Sequence, residues 1–349
     1  MEEFVRVRMV QANAMDLTRF QFDYDLTFAA FLMNADGTIY GRFGSRSSQD
    51  AMEDMSMAGF RLALEGALDL HDDYPANRNA LAGKQPVPPR YERPEQYPSL
   101  ASYTEDLDYE GEVVRSCMHC HQINEAERML YRDANEPVPD KVMFPWPAPR
   151  IIGLELDRLE QATISSVAPS SLADRAGLKV GDIIETIDSQ PIVSIADVQW
   201  ILHHADDGDH LRVRVSGTGG ARYVTITLPA GWRKNTDIGW RVSSWDVRRM
   251  GTGGLVLRAL SDDERAAADV GEDALGLSVD HVGQWSPHDY AKKAGFLKED
   301  IIVSFDGKTH AMTRSQLLAY TMQETTAGHI IPVTVLRDGA RVNLQLPTQ

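Results

Sequence analysis

The sequence predicts an α+β chain of several domains, and three observations carry that expectation. The first is an internal repeat. Ala176-Gly177-Leu178-Lys179-Val180-Gly181-Asp182-Ile183-Ile184 is matched by Ala294-Gly295-Phe296-Leu297-Lys298-Glu299-Asp300-Ile301-Ile302 at a constant offset of 118 residues, which marks two copies of one domain. The second is a strand–turn–strand–helix pattern near the N-terminus. The third is a proline-rich stretch between them that holds the only two cysteines of the chain, in the pattern C-x-x-C-H. These features divide the 349 residues into segments 1–72, 73–148, 149–231, 232–273 and 274–349.

Within 1–72, Phe4 to Val10 alternates in a β manner, Leu26 to Met33 reads as a second strand, and Thr38 to Phe43 as a third. Asn34-Ala35-Asp36-Gly37 supplies the turn of a hairpin. From Ala51 to Leu70 the apolar residues fall at helical spacing, with Met52 and Met55 read as core filling rather than as metal ligands.

Segment 73–148 carries Pro86, Pro88, Pro89, Pro94 and Pro98, so it is expected to be extended and poorly helical. Glu112 to Arg115 is expected to be a short strand or turn. Asn124 to Arg132 is expected to be a helix, acidic early and basic late. Between them, Cys117-Met118-His119-Cys120-His121 has the spacing that lets two thiols join one haem c covalently while His121 ligates the iron. Met143 is a candidate distal ligand, and packing in a small core is the alternative for it. A dithiol or half of a metal site remains open for the cysteines.

The net charge is −16 and the pI about 5.0, which argues against nucleic acid and anionic membranes as partners, since both need clustered Lys and Arg. No run of 18 apolar residues is present, so no membrane span is expected. Met1-Glu2-Glu3 lacks the basic start of an export signal. Haem attachment nevertheless points outside the cytoplasm. The expected location is therefore periplasmic or otherwise exported, and cytoplasmic if Met1 is the true start.

Each repeat copy resembles a PDZ domain of the bacterial, protease-associated type. The first reads Gly153-Leu154-Glu155-Leu156, then Ala173-Asp174-Arg175-Ala176-Gly177-Leu178 and Asp182-Ile183-Ile184, with a helix from Ile195 to His203. The second reads Gly276-Leu277-Ser278-Val279, Ala294-Gly295-Phe296 and Asp300-Ile301-Ile302, with a helix near Arg314 to Met322 and a hairpin from Val335 to Val342. The resemblance implies that Ile152, Gly153, Leu154 and Glu155 in the first copy, and Leu275, Gly276 and Leu277 in the second, line grooves for the C-termini of proteins or peptides. Glu299 stands where the first copy has Gly181, and Gln284-Trp285-Ser286-Pro287-His288 is inserted. The first groove is therefore expected to be the better one, with Trp285 packed on a neighbouring domain. Residues 232–273, rich in Trp and Arg, read as a connector.

Phe31 to Gly37 followed by Gly41-Arg42-Phe43-Gly44 resembles the hairpin of a thioredoxin-like unit, without its cis-proline and without the first strand and dithiol. Taken together, the hairpin, the C-x-x-C-H centre and the PDZ repeats resemble a bacterial thioredoxin-like/PDZ (seleno)protein family. That resemblance implies a missing export signal and thioredoxin active site ahead of Met1. No G-x-S-x-G and no H-E-x-x-H occurs, so no complete catalytic set is visible. The function expected first is an exported c-type haem electron-transfer protein that docks partners through PDZ domains, with an unidentified redox partner. A non-catalytic peptide-binding scaffold and a thiol oxidoreductase using Cys117 and Cys120 are the alternatives.

Overall fold

The structure, a computed structural model, describes residues 3–217 and 219–349. In chain order its elements are β1 (Ala30–Met33), β2 (Ile39–Phe43), α1 (Met57–Asp72), α2 (Arg78–Leu81), α3 (Val113–Ser116), α4 (His121–Asp133), α5 (Asp140–Met143), β3 (Leu154–Leu156), β4 (Ile164–Val167), α6 (Leu172–Ala176), β5 (Ile183–Ile187), β6 (Gln190–Pro191), α7 (Ile195–His204), β7 (His210–Ser216) and β8 (Arg222–Thr227). There follow α8 (Ser244–Thr252), β9 (Leu255–Ala259), α9 (Asp262–Ala267), β10 (Leu277–Val282), α10 (Tyr290–Lys293), β11 (Ile301–Phe305), α11 (Arg314–Gln323), β12 (Ile330–Arg337) and β13 (Ala340–Pro347). They form two compact units, one of residues 1–123 with 144–236, the other of 124–143 with 237–349.

In the first unit the expected thioredoxin-like part is corrected. Phe4 to Val10 forms no strand, and Val5, Val7 and Val10 stand exposed. Alternation alone cannot make a strand without a neighbour to share its ladder. What remains is the two-stranded hairpin β1–β2 with α1 packed on it. Ser56 caps α1 by accepting the Gly59 amide at 2.9 Å. Gly59, Ala63 and Ala67 give the helix a small-residue face that buries closely. Glu112 to Arg115 enters α3 rather than a strand.

The hairpin and the turn after α2 brace α7. Gly41 is required there, because a Cβ would sit 2.3 Å from Val193 Cγ2. The Asp197 carboxylate accepts the Arg42 amide at 3.2 Å and the Val193 amide at 3.0 Å, and pairs with Lys84 Nζ at 2.7 Å. Ser194, the N-cap of α7, donates its hydroxyl to the Arg42 carbonyl. The Arg42 guanidinium lies 3.6 Å from the Trp200 ring centre, and Trp200 Nε1 donates to Gly83 O at 2.7 Å. Burial holds Arg42 far below the usual arginine range, at about 9, against the opposing pull of Asp197. Lys84 is lowered by the same cause.

The repeat copies are antiparallel. The first has β3–β4 beside the four-stranded order β6-β5-β7-β8. The second is a single sheet of order β13-β12-β11-β10-β9. Gly177 and Gly295 end α6 and the α10 turn in the left-handed conformation, at φ 86° and 92°. The shared aspartates then lock the turn. Asp182 accepts the Lys179 amide at 2.8 Å and Arg222 through both oxygens; Asp300 accepts the Leu297 amide at 2.9 Å and Arg337 likewise. Burial pushes the Asp182 carboxyl up, but Arg222 and the Lys179 amide outweigh it and hold it below the ordinary aspartate value. Its stabilisation is therefore present above the unfolded-state value and is lost as pH falls through the folded one.

Two expected outcomes follow from this packing. Asp197→Ala leaves Lys84 buried without its partner, so urea unfolding should show a loss of about 3–5 kcal/mol. Glu299 holds φ 73° where Gly181 holds 85°. Glu299→Gly should therefore stabilise the second unit by about 1 kcal/mol, read from the same transition.

Candidate functional site

The C-x-x-C-H segment is tied to the chain's own residues. Met118, between the cysteines, is fully buried; its amide donates to Asn13 Oδ1 at 2.7 Å, and its carbonyl accepts the Ala12 amide at 2.9 Å. Asn13 Nδ2 also donates to Ser116 O at 2.9 Å and Thr104 O at 2.8 Å. Gln122 Oε1 accepts the His119 amide at 2.8 Å, so α4 starts at His121 with a side-chain clasp. The His119 and His121 rings stack at 5.7 Å. Cys117 and Cys120 are half-buried free thiols, and burial, with the nearby Cys117, raises Cys120 above the usual thiol range. Met143 is fully buried in α5 and falls in the other unit from Cys117, Cys120 and His121. Among the described residues no cluster of three or more His, Cys, Asp or Glu converges as metal ligands.

In the first copy Ile152 and Leu154 are buried, Gly153 turns at φ 86°, and Glu155 is exposed. A Cβ on Gly153 would lie 2.1 Å from Ser171 Cβ, so the turn excludes any other residue. Among the described residues β3 pairs with β4 on one side only, Leu154 with Val167 and Leu156 with Ile164. Its other edge faces a groove lined by Leu154, Leu156 and Ile195 of α7.

In the second copy, Leu275, Gly276 and Leu277 do not form the matching loop. Leu277 sits inside the sheet, opposite Ile302 on one side and Ala259 on the other, and has no free edge to offer. The free edge is that of β9, inside the stretch read from the sequence as a connector. The correspondence is set by hydrogen bonds. Gly153 O accepts from Ala168 N at 2.9 Å and Gly254 O from Gly283 N at 3.0 Å; Ile164 N donates to Asp182 O at 2.8 Å and Val279 N to Asp300 O at 2.9 Å. Gly254, at φ 90°, is thus the partner of Gly153, and Leu255-Val256-Leu257 the partner of Leu154-Glu155-Leu156. α11 lies along β9. The available signal was Gly253-Gly254 ahead of an apolar strand. The connection between β9 and β10, which carries α9, hid it: it is longer than the β3–β4 connection and breaks the 118-residue register. Trp285 in the inserted loop, expected to pack on a neighbouring domain, is instead 83% exposed.

A family profile described as "PDZ domain" matches residues 163–216. The chain therefore contains a PDZ domain. It is 26% identical over 184 residues to a "Probable periplasmic serine endoprotease DegP-like" of Halomonas elongata, covering 53% of this chain and 36% of that protein. It is 28% identical over 148 residues to "Periplasmic pH-dependent serine endoprotease DegQ" of Escherichia coli, covering 42% of this chain and 29% of that one. A solved structure, "HtrA-type protease AlgW with decapeptide", shares 20% identity over 53% of this chain and 54% of that chain, at a TM-score of 0.26. The chain spans about a third of the length of these curated relatives.

The relatives correct the reading drawn from the C-x-x-C-H motif. They are periplasmic serine endoproteases by name, and none is a thioredoxin-like, selenoprotein or haem protein. The family resemblance that joined those features, the haem electron-transfer function with its scaffold and thiol alternatives, and the covalent haem c at Cys117, Cys120 and His121 are accordingly withdrawn. The partial thioredoxin-like class goes with them. In the structure the Met118 backbone is tied to Ala12 and Asn13, and Met143, the expected distal ligand, belongs to the other unit. The location is as expected: the chain is periplasmic or otherwise exported, like its relatives. Among the described residues no helix is long and apolar enough to cross a membrane.

The thiols give a direct check. With its proton held by burial, Cys120 should react with iodoacetamide more slowly than Cys117 at pH 8, and its rate should still be climbing above pH 9, as read by peptide mass mapping over a pH series.

Proposed function

We propose that the chain captures extended protein segments, and that a free C-terminal carboxylate orients them in the groove. The observation that carries this is the duplication of one device: a left-handed glycine, Gly153 or Gly254, followed by a strand with an unpaired edge, β3 or β9. An unpaired edge offers backbone N–H and C=O groups to a new strand. Each ladder hydrogen bond contributes about 1 kcal/mol net, and burial of an apolar terminal side chain adds about 25 cal/mol per Å². The match to a PDZ domain at residues 163–216 supports the same reading. An acidic protein of net charge −16 has little use for phosphate-rich partners, which leaves protein segments as the fitting class.

The names of the relatives favour a second reading, in which capture serves a serine endoprotease reaction. Covalent labelling of the full chain by a fluorophosphonate probe would support it.

The capture reading is tested by fluorescence anisotropy with an octapeptide ending Val-Val-Leu and with its C-terminal amide. The free acid should bind, and amidation should weaken binding by about 1.5–3 kcal/mol, the worth of hydrogen bonds to a charged group. Equal binding of acid and amide would remove the carboxylate from the account, and absence of binding by either would remove the capture role.

A further inference from the structure

The groove beside β3 is not empty of the chain itself. After β2, residues 45–55 form an irregular strap braced internally: Arg46 donates to Ser48 O at 2.8 Å and Gln49 O at 2.7 Å, Asp50 Oδ1 accepts the Met52 amide at 2.9 Å, and Ser48 donates to Glu53. Met55 anchors one end in the core under α1. The strap meets the first repeat copy at Arg150, ahead of β3, and at Arg158, behind it. Arg150 pairs with Glu53 at 2.9 Å, and Arg158 donates to Met52 O at 3.3 Å. Ser47, Glu53 and Asp54 then line the same cavity as Leu154, Glu155, Leu156 and Ile195. The cavity left between them is about 110 Å³.

Arg150 touches Glu53 at 2.9 Å and feels the fields of Asp54 and Glu155 as well. Their fields, with the Glu53 hydrogen bond, overcome the effect of burial and raise Arg150. Asp54, more deeply placed, is pushed up by burial. Strap side chains form one side of the groove. Among the described residues β3 pairs with β4 only, so the strap leaves its outer edge unused. The contact is therefore of a kind that a peptide strand can outcompete: the Arg150–Glu53 pair is more than a third exposed on both sides, while the incoming strand gains ladder bonds the strap never makes.

We propose that the strap of residues 45–55 is an internal occupant of the first groove, with Glu53 on Arg150 in the place an incoming carboxylate would take, so that binding there requires its displacement. This rests on the capture reading and adds its regulation: the first groove is closed at rest.

The test uses the full chain and amide hydrogen exchange resolved by peptide mass, with and without the Val-Val-Leu octapeptide acid. The variants are Glu53→Lys, which sets like charges together at Arg150, and Asp54→Asn, which keeps a neutral group where burial already favours one. Without peptide, Glu53→Lys should raise exchange across residues 46–54 at least fivefold, and Asp54→Asn should leave it near wild type. With peptide, half-protection of residues 153–157 should come at about tenfold lower concentration in Glu53→Lys than in wild type, and residues 46–54 of wild type should exchange faster as 153–157 become protected. Equal half-points in the two proteins, or protection confined to 254–258, would overturn the strap while leaving peptide capture standing. Protection at neither 153–157 nor 254–258 in any variant would overturn the capture reading itself.

Discussion

One buried carboxylate holds the first unit together. Asp197 sits in the first turn of α7, where the helix dipole favours a negative charge, and its oxygens are taken up by Lys84, by the Arg42 amide and by the Val193 amide. Asp197, Lys84 and Arg42 are withdrawn from water, so each is costly without the others. The consequence is a strict geometry: β2 must reach the N-terminus of α7, the turn after α2 must bring Lys84 to the same point, and Gly41 must leave room for Val193. That is why every residue of α7 from Ile195 to Leu202 is buried although the helix lies at the edge of its own repeat copy. A helix buried on all sides needs a second layer, and the N-terminal hairpin is that layer.

The two repeat copies keep the same physics with different residues. The turn before the central strand needs a carboxylate that accepts both a backbone amide and a two-pronged arginine. Asp182 obtains its arginine from the start of β8, whereas Asp300 obtains it from the end of β12, on the other arm of the terminal hairpin. The left-handed residue ahead of that aspartate is glycine in one copy and glutamate in the other, with nearly the same φ. What persists is the backbone path and the satisfied charge, and either arm can provide the cation.

The sequence revealed what is local. The Ala-Gly-Leu and Asp-Ile-Ile segments, the start of α7 at Ile195 and of α11 at Arg314, and the turn from Asn34 to Gly37 all rest on caps, turn chemistry and short-range periodicity. Features that depend on a distant partner were not legible. Phe4 to Val10 alternates well but has no strand beside it. The hairpin after it looked like part of a larger sheet because its own residues cannot say that α7 is its neighbour. β9 was hidden because the segment between β9 and β10, which carries α9, is longer than the β3–β4 connection and shifts the register, so the glycine-leucine pair at 276–277 stands nearer the repeat position than the one at 254–255. The cysteine motif misled because spacing alone is silent on which groups the fold brings to the two sulfurs, and Met143 belongs to the other unit.

These points bear on one another at β3. Its edge forms one wall of the groove and α7 forms the other, and α7 is held from behind by Asp197, by Trp200 under Arg42, and by the hairpin. A wall fixed before the ligand arrives loses little freedom on binding, which is how a few ladder bonds can suffice for useful affinity. The same N-terminal segment that fixes the wall also supplies, directly after β2, residues that line the groove. Bracing and closure are therefore continuous in the chain. Phe43 and Met55, at the two ends of the strap, belong to the same small core. The strap can leave the groove only by flexing between these anchors, and its release need not disturb the brace on α7.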